Sequence, residues 1–201
     1  MRIVMAYVKS HMPNTNDIVK YTLKSVFLIV TIILCSCNHT KESREKDQQR
    51  IASETFALME NYKMLELHKD SLDVMDLPMT LLGYQCAAEI LKETKSDLSV
   101  EELSAQARAN TTRWRKNELP GTTLLIYDEK THTARWPNGE SVGYKKGCFV
   151  FSRPIFLNDF KYAVMQSAYY CGPLCGESEV ILFKKMGARW IKLKSYCEMI
   201  S

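Results

Sequence analysis

The sequence predicts an α+β fold in which N-terminal helices pack on a C-terminal antiparallel sheet of five or six strands. Apolar residues recur at helical spacing up to about residue 114, and beyond Pro120-Gly121 they come in short blocks separated by turn residues. The 201-residue chain is 46% hydrophobic and 25% charged, which is typical of a globular protein and excludes disordered and collagen-like classes for most of it.

The first informative segment is a short apolar stretch. Residues 26–34 are almost entirely apolar and follow two lysines, Lys20 and Lys24. A membrane-spanning helix needs roughly 20 apolar residues, about twice this length. A basic leader, a short apolar run and then small residues are typical of a secretory signal, which we predict for residues 1–36. The alternative, an uncleaved anchor over residues 21–37, would place Lys24 inside the span.

The end of this segment carries a resemblance. Leu34-Cys35-Ser36-Cys37 resembles the lipobox of bacterial lipoproteins, which requires Leu, a tolerant position, a small residue and Cys. The resemblance implies that Cys37 is lipidated, with palmitate among its acyl chains, and becomes the first residue of the mature protein. We therefore expect a lipid-anchored protein of the bacterial cell envelope, at the outer membrane, with its domain outside the cytoplasm. The leader is long, so Met1, Met5 and Met12 are all candidate start residues.

The charge is concentrated in the leader. Residues 1–37 carry +3 of the formal net charge of +4, so residues 38–201 carry only +1. A nucleic-acid-binding domain needs a basic surface. The mature chain therefore predicts no nucleic-acid partner, and its expected partners are the membrane and a protein, glycan or other envelope component.

The mature chain is predicted to begin with a charged tether, residues 37–50, or with the solvated start of a helix. Residues 51–201 predict a single α+β domain with three helices. The first shows one helical face, formed by Ile51, Thr55, Leu58, Tyr62 and Leu65. The second covers residues 77–94, and the third begins at a Ser99–Glu102 capping box and runs to about Trp114.

Six blocks predict the strands: residues 122–128, 132–136, 148–156, 161–171, 178–184 and 189–199. Residues 162–170 include apolar side chains at both odd and even positions, which predicts a central strand covered on both faces. Alternation in the last block predicts one buried face and one solvent face. The predicted buried face holds Ile191, Leu193, Ser195 and Cys197, and the solvent face holds Lys192, Lys194 and Glu198.

Two further resemblances concern this half of the chain. The order of helices and strands, ending in Gly187-Ala188-Arg189-Trp190-Ile191-Lys192, is similar to the nuclear-transport-factor-2-like (NTF2-like) cone fold. Residues 150–201 also resemble a recurring type of Bacteroidetes lipoprotein. The residues that carry this second resemblance are Ser152-Arg153-Pro154-Ile155-Phe156, Tyr169-Tyr170-Cys171-Gly172-Pro173-Leu174-Cys175-Gly176, Trp190 and Ile200-Ser201. It implies a shared fold and no particular activity.

The most distinctive local feature is a pair of cysteines, Cys171 and Cys175, that flank three residues between predicted strands. A hairpin loop of this size brings the two Cα atoms near disulfide distance, and a lipoprotein domain lies outside the reducing cytosol. We predict a structural disulfide that contributes about 2 kcal/mol through chain entropy. The alternatives are two reduced cysteines, a thiol redox site or a metal site. A redox thiol needs a positive field, whereas Glu177 is acidic, and a metal needs two further ligands.

Three other cysteines follow Cys37: Cys86, Cys148 and Cys197. With Cys171 and Cys175 they make five cysteines after Cys37, an odd number that leaves at least one thiol unpaired within the chain. The sequence does not fix the redox state of Cys86, Cys148 or Cys197. Cys86 lies on a predicted apolar helix face and Cys197 on a predicted apolar strand face. Free cysteine is among the most buried residue types, so we expect both to fill the core as thiols.

No catalytic signature is present: the chain lacks G-x-S-x-G, H-E-x-x-H, a P-loop and G-x-G-x-x-G. The spacing of Asp70, Asp73 and Asp76 predicts a solvated loop, with acid–base catalysis as the alternative, and His68 and His132 predict surface positions. No cofactor or metal is predicted. Aromatic residues of the strands predict a core or a binding surface: Tyr162, Tyr169, Tyr170, Trp190 and Tyr196.

The expected function is that of a non-enzymatic binding or interaction module. The alternative is an envelope enzyme, a hydrolase or an isomerase, with its site in the concavity of the sheet. An inward-facing acid–base pair with a perturbed pKa would favour the enzyme, and a flat exposed apolar patch would favour the binding module.

Overall fold

The computed structural model describes residues 42–67, 72–80, 82–131, 133–141, 147–172 and 175–200. The predicted signal segment, the lipobox with Cys37, and the predicted sites at His68, Asp70 and His132 lie outside these residues. The chain divides into two compact units, Met1–Arg50 and Ile51–Ser201. Residues 42–50 of the first unit are helical and exposed. Within the described ranges, no helix is both long enough and apolar enough to cross a membrane.

The fold is α+β, as predicted. Helix α1 covers residues 42–61 and is followed by one π-helical turn, Tyr62–Glu66. Helix α2 covers Tyr84–Thr94 and helix α3 covers Val100–Ala109. The strands are β1 (Leu72–Met75), β2 (Thr122–Asp128), β3 (Thr133–Arg135), β4 (Cys148–Phe151), β5 (Ile155–Leu157), β6 (Tyr162–Gly172), β7 (Cys175–Met186) and β8 (Arg189–Ile200).

The sheet is larger than predicted, and it is mixed. Eight strands pair in the order β3-β2-β1-β4-β6-β7-β8, with β5 also paired to β6, and β1 runs parallel to both β2 and β4. The prediction of five or six antiparallel strands was therefore wrong in number and in direction. Two strands exceed the six predicted blocks: the block of residues 148–156 contains both β4 and β5, and β1 was missed. Strand β1 is four residues long and has an aspartate at its second position. So short a segment carries too little alternation to be distinguished from a loop.

Helices cover both faces of the sheet, so the prediction of a doubly covered central strand is confirmed. On one face, Ala163 and Met165 of β6 pack with Leu58 and Tyr62 of the α1 region. On the other face, Val164 of β6 belongs to a second buried cluster with residues of α2 and α3. Neighbouring residues of β6 thus enter opposite cores because side chains alternate along a strand.

The helix predictions hold in their centres and fail at some ends. Ser99 and Glu102 form the predicted capping box at the start of α3. Helix α2 begins at Tyr84, seven residues later than predicted, because Met79 forms a parallel bridge with Ser152. Helix α3 ends at Ala109, before Trp114, whose indole N–H donates to the Phe151 carbonyl oxygen at 3.1 Å.

Strand β8 corrects the predicted alternation. Ile191 and Leu193 are 40% and 44% exposed, whereas Trp190 and Tyr196 are buried. The register against β7 shifts twice, around Leu193 and around Cys197, where the backbone has a φ of +48°. A β-bulge inserts one extra residue and reverses the faces of the residues beyond it. An uninterrupted two-residue alternation therefore assigns the buried and exposed faces of β8 wrongly, because two bulges interrupt the strand.

The second bulge also overturns the expectation that Cys86 and Cys197 are free thiols. Cys197 forms a disulfide with Cys86 of α2, with the two Cα atoms 6.1 Å apart. Tyr196, the preceding residue, belongs to the same buried cluster as Cys86. In a regular strand, adjacent side chains point to opposite faces, so it is the bulge that allows Cys197 to reach the α2 side. Cys148 is buried and free, and burial raises the pKa of its thiol.

The segment around Asp76 was predicted to be a solvated loop, and this was wrong. The Asp76 carboxylate is mostly buried and accepts hydrogen bonds from Arg113 Nη1 at 2.7 Å and from the Tyr127 backbone N–H at 2.9 Å. It therefore joins the end of β1 to β2 and to the segment after α3. Asp73, within β1, is partly buried.

Candidate functional site

A cavity of about 260 Å³ opens on the α1 face of the sheet, at the end of β6 and β7 next to their connection. Its aromatic wall consists of Tyr62, Phe149 and Tyr169, and three carboxylates also line it: Glu177, Glu179 and Glu198. Its volume is a little below the range of about 300–1,000 Å³ that is usual for drug-sized ligands. The cavity can therefore hold a molecule somewhat smaller than a typical drug.

Strand register explains how these side chains meet. Ser167 of β6 lies opposite Glu179 of β7, and Tyr169 lies opposite Glu177. Residues two apart on a strand share a face, and directly opposite residues on paired strands are neighbours on it. The four side chains therefore form a two-by-two patch on the α1 face, next to the apolar Met165–Ile181 pair.

Glu179 is the centre of a hydrogen-bond network inside the cavity. Lys192 Nζ donates to its carboxylate at 3.0 Å, and the Tyr62 hydroxyl donates at 3.3 Å. The Ser195 hydroxyl also donates to it, and Tyr62 lies 3.3 Å from the Ser167 hydroxyl oxygen. Three donors on one carboxylate fix its position. The interior of the cavity is therefore a preorganised polar surface.

The aromatic wall is held by close packing. The rings of Phe149 and Tyr169 have centroids 4.9 Å apart. A Cβ atom built on Gly147 would lie 2.0 Å from the Tyr169 hydroxyl oxygen, so the ring occupies the space that any other side chain at this position would need. Gly147 is thus required by the close approach of a ring.

The mouth of the cavity differs from its interior. Glu177 and Glu198 are exposed. Neither carboxylate forms a hydrogen bond or an ion pair with another side chain in the described part of the chain. Lys192, the cation of the hydrogen-bond network, forms its ion pair with Glu179. The mouth therefore carries two carboxylates whose charge is not offset by a partner.

The predicted Cys171–Cys175 pair lies beside this cavity. The two cysteines are at disulfide distance, with Cα atoms 5.1 Å apart, at the end of the predicted β6–β7 hairpin. Cys171 follows Tyr169 by two positions and Cys175 precedes Glu177 by two, so a cross-link here holds together the strand ends that form the site. In the described ranges, no cluster of three or more His, Cys, Asp or Glu side chains is arranged to hold a metal ion.

Arg153, which lies in one of the segments that carry the Bacteroidetes resemblance, links two parts of the fold and does not line the cavity. Its guanidinium lies over the Trp114 ring, 4.1 Å from the centroid, and donates to the Glu118 carboxylate at 2.7 and 2.9 Å. It also donates to the backbone carbonyl of Arg113 at 2.8 Å. Arg153 therefore fastens the segment after α3 to the turn between β4 and β5.

A second concave surface, about 630 Å³ and wider, lies at the β2–β3 hairpin. Tyr127, Arg135 and Trp136 line it together with acidic and basic residues of the turn. Arg113 donates there to the Tyr127 carbonyl oxygen at 2.9 Å and to the Glu129 carboxylate at 2.8 Å, but this surface is less enclosed than the cavity on the α1 face. The cavity on the α1 face is the better candidate for a binding site.

Sequence reasoning identified Tyr169 as a possible binding residue but missed Ser167, Glu179 and Lys192. One signal was available. Ser167 interrupts an otherwise apolar central strand, and Glu177 and Glu179 share the parity of the buried Ile181. Polar residues at strand positions that alternate in phase with buried apolar residues indicate a hydrogen-bonded polar network at that end of the sheet. No protein-family profile matches the chain, and it has no significant match to a curated protein or to a solved structure.

Proposed function

We propose that this chain is a lipid-anchored envelope protein whose α+β domain is a non-enzymatic binding module. A signal over residues 1–36 is removed, Cys37 is lipidated, and residues 37–50 separate the domain from the outer membrane. The two cysteine pairs at disulfide distance support a location outside the cytoplasm, because disulfides persist in oxidising compartments.

The observation that carries the binding role is the cavity around Glu179. Its polar atoms are fixed by Tyr62, Lys192 and Ser195, and its aromatic wall is packed against Gly147. A largely preformed pocket with apolar walls and a few positioned polar groups is the usual form of a small-molecule site. The domain therefore has a binding site that is preformed in the absence of a ligand.

A methyl NMR experiment tests this role. Met199 lines the cavity, whereas Met186 is exposed at the opposite end of β7. In the full chain, labelled at its methionine methyl groups and held in lipid nanodiscs, fragments that bind should shift the Met199 signal and leave that of Met186 unchanged. Tyr169→Ala should weaken binding about tenfold or more, as loss of an aromatic anchor does. Tyr84→Ala, at an exposed tyrosine, is the matched control. A chemically diverse fragment set that never shifts Met199 would contradict the binding role.

The alternative is an envelope hydrolase or isomerase acting in the same cavity. The observation that favours it is the convergence of three groups able to transfer protons: Tyr62 and Lys192 both donate a hydrogen bond to the Glu179 carboxylate. The enzyme hypothesis would be supported if the protein converts a cavity ligand to product and Glu179→Gln abolishes this turnover while it retains binding of the ligand.

The finer assignment of the fold, an NTF2-like cone, stays part of this proposal. It is supported by the cavity between a helix and one face of the sheet. A crystal structure of the protein in which the sheet curves around α1 would establish the cone fold, and a flat sheet would exclude it.

A further inference from the structure

We propose that the cavity binds a small organic ammonium ion, a molecule with an apolar body and one positively charged amine. This inference rests on the proposed binding function and specifies its ligand. The cavity combines an aromatic wall, a hydroxyl-lined interior and carboxylates at its mouth. The carboxylates favour the positively charged amine, and the aromatic wall favours the apolar body.

Charge selects a cation. Glu177, Glu179 and Glu198 line the cavity, and Lys192 neutralises only Glu179. Together these four side chains carry a net charge of −2. Because the two carboxylates at the mouth lack a partner in the described part of the chain, an entering anion would meet uncompensated repulsion, whereas a cation would find two acceptors.

The wall selects an organic cation over a hydrated metal ion. The rings of Phe149 and Tyr169 pack against each other, and Tyr62 also lines the cavity, with its hydroxyl donating to Glu179. Aromatic faces attract ammonium groups and also bury apolar surface. A metal ion would instead require several oxygen ligands converging on one point. The described residues offer no such cluster.

Size limits the apolar body. A cavity of about 260 Å³ accommodates a single ring or a short alkyl chain with its amine. The ligand is therefore an arylalkyl or alkyl ammonium ion of the size of 2-phenylethylammonium, and that compound is a suitable probe.

The experiment compares three probes of one shape and different charge. Binding of 2-phenylethylammonium, 2-phenylethanol and phenylacetate to the full chain in nanodiscs of neutral lipid is followed by the Met199 methyl signal, with Met186 as internal control. The expected result is that the cation binds about tenfold more tightly than the alcohol, that phenylacetate does not bind, and that added salt weakens cation binding.

A charge-matched pair of variants locates the effect. Glu177→Gln/Glu198→Gln should remove the advantage of the cation over the alcohol. Glu60→Gln/Glu140→Gln changes the net charge equally at two exposed positions outside the cavity and should retain it. Both mouth residues are exposed, so their substitution does not threaten folding.

Equal or tighter binding of the alcohol or of phenylacetate at Met199 would overturn the cation proposal while leaving the binding function intact. The same holds if cation binding is unaffected by Glu177→Gln/Glu198→Gln. If none of the three probes shifts Met199, the cation proposal is also overturned. The diverse fragment set then decides the binding function separately.

Discussion

Cys197 and Cys86 are separated by 111 residues in the sequence and joined by a disulfide between the edge strand β8 and helix α2. The edge strand of a sheet is held on one side only, and here a covalent bond fixes it to a helix on the α2–α3 face. The same strand carries Lys192 and Ser195, which hold Glu179 on the opposite face. The disulfide therefore supports the site from the other side of the sheet.

Loss of the Cys86–Cys197 bond should destabilise the protein substantially. We expect Cys86→Ser/Cys197→Ser to lower the free energy of unfolding by about 2–5 kcal/mol, because the bond closes a long loop in the unfolded chain. Cys171→Ser/Cys175→Ser, which opens a much shorter loop, should cost about 2 kcal/mol or less. Denaturant unfolding with and without reductant measures both. Free alkylation of Cys86 and Cys197 in the native, oxidised protein would show that this bond is absent.

Cys37→Ala should abolish incorporation of labelled palmitate and release the protein from the membrane fraction, because the lipobox resemblance places the lipid on this thiol. Cys35→Ala, two residues earlier at the tolerant position, is the matched control and should keep the label. Labelling that persists in Cys37→Ala would move the anchor elsewhere and remove the basis of the lipoprotein proposal.

Arg153→Lys should destabilise the domain although it preserves the charge. The guanidinium makes two hydrogen bonds to Glu118 and stacks on Trp114, and an ammonium group cannot reproduce this planar arrangement. We expect a loss of about 1–3 kcal/mol in the free energy of unfolding. Lys46→Arg in the exposed pair with Glu42 should change stability by less than about 0.5 kcal/mol. Equal effects of the two substitutions would show that Arg153 contributes only its charge.

Alkaline pH should destabilise the protein through Tyr196. Burial, followed by the hydrogen bond to the Glu93 carboxylate, raises the pKa of the Tyr196 phenol. Below the usual tyrosine pKa of about 10, the folded and unfolded states both keep this proton. Above it, the unfolded chain releases the proton while the folded protein retains it, so the free energy of unfolding falls as the pH rises.

Tyr196→Phe should flatten the decrease in stability above pH of about 10, and Tyr84→Phe, at a 68% exposed tyrosine, should not. The measurement is the free energy of unfolding of each variant as a function of pH, compared by slope. An unchanged slope in Tyr196→Phe would mean that this phenol titrates alike in both states.

Gly147→Ala should damage the cavity through Tyr169. The added Cβ would fall within 2.6 Å of three atoms of the tyrosine side chain, so the ring must move. We expect a loss of about 1–3 kcal/mol in stability, as for other overpacked sites, and weaker ligand binding at Met199. In the Tyr169→Ala background, Gly147→Ala should cost much less, because the clash is gone. Additive effects in this double-mutant cycle would contradict the packing argument.

Elements whose physical signals are local could be predicted from the amino-acid residues alone. The capping box at Ser99, the centres of the helices, the double-sided apolar pattern of residues 162–170 and the hairpin between Cys171 and Cys175 all follow from spacing within a few residues. From these, the α+β class and the doubly covered central strand could be predicted.

Features that depend on residues distant in the chain could be seen only in the folded protein. Strand β1 becomes a strand because β2 and β4 flank it, and Asp76 becomes buried because Arg113 and the Tyr127 backbone satisfy it. Two bulges in β8 reverse its faces and turn Cys197 toward Cys86, and no periodicity can reveal an inserted residue. The cavity around Glu179 arises in the same way, because its donors come from the α1 region and from β8, which only folding brings to one carboxylate.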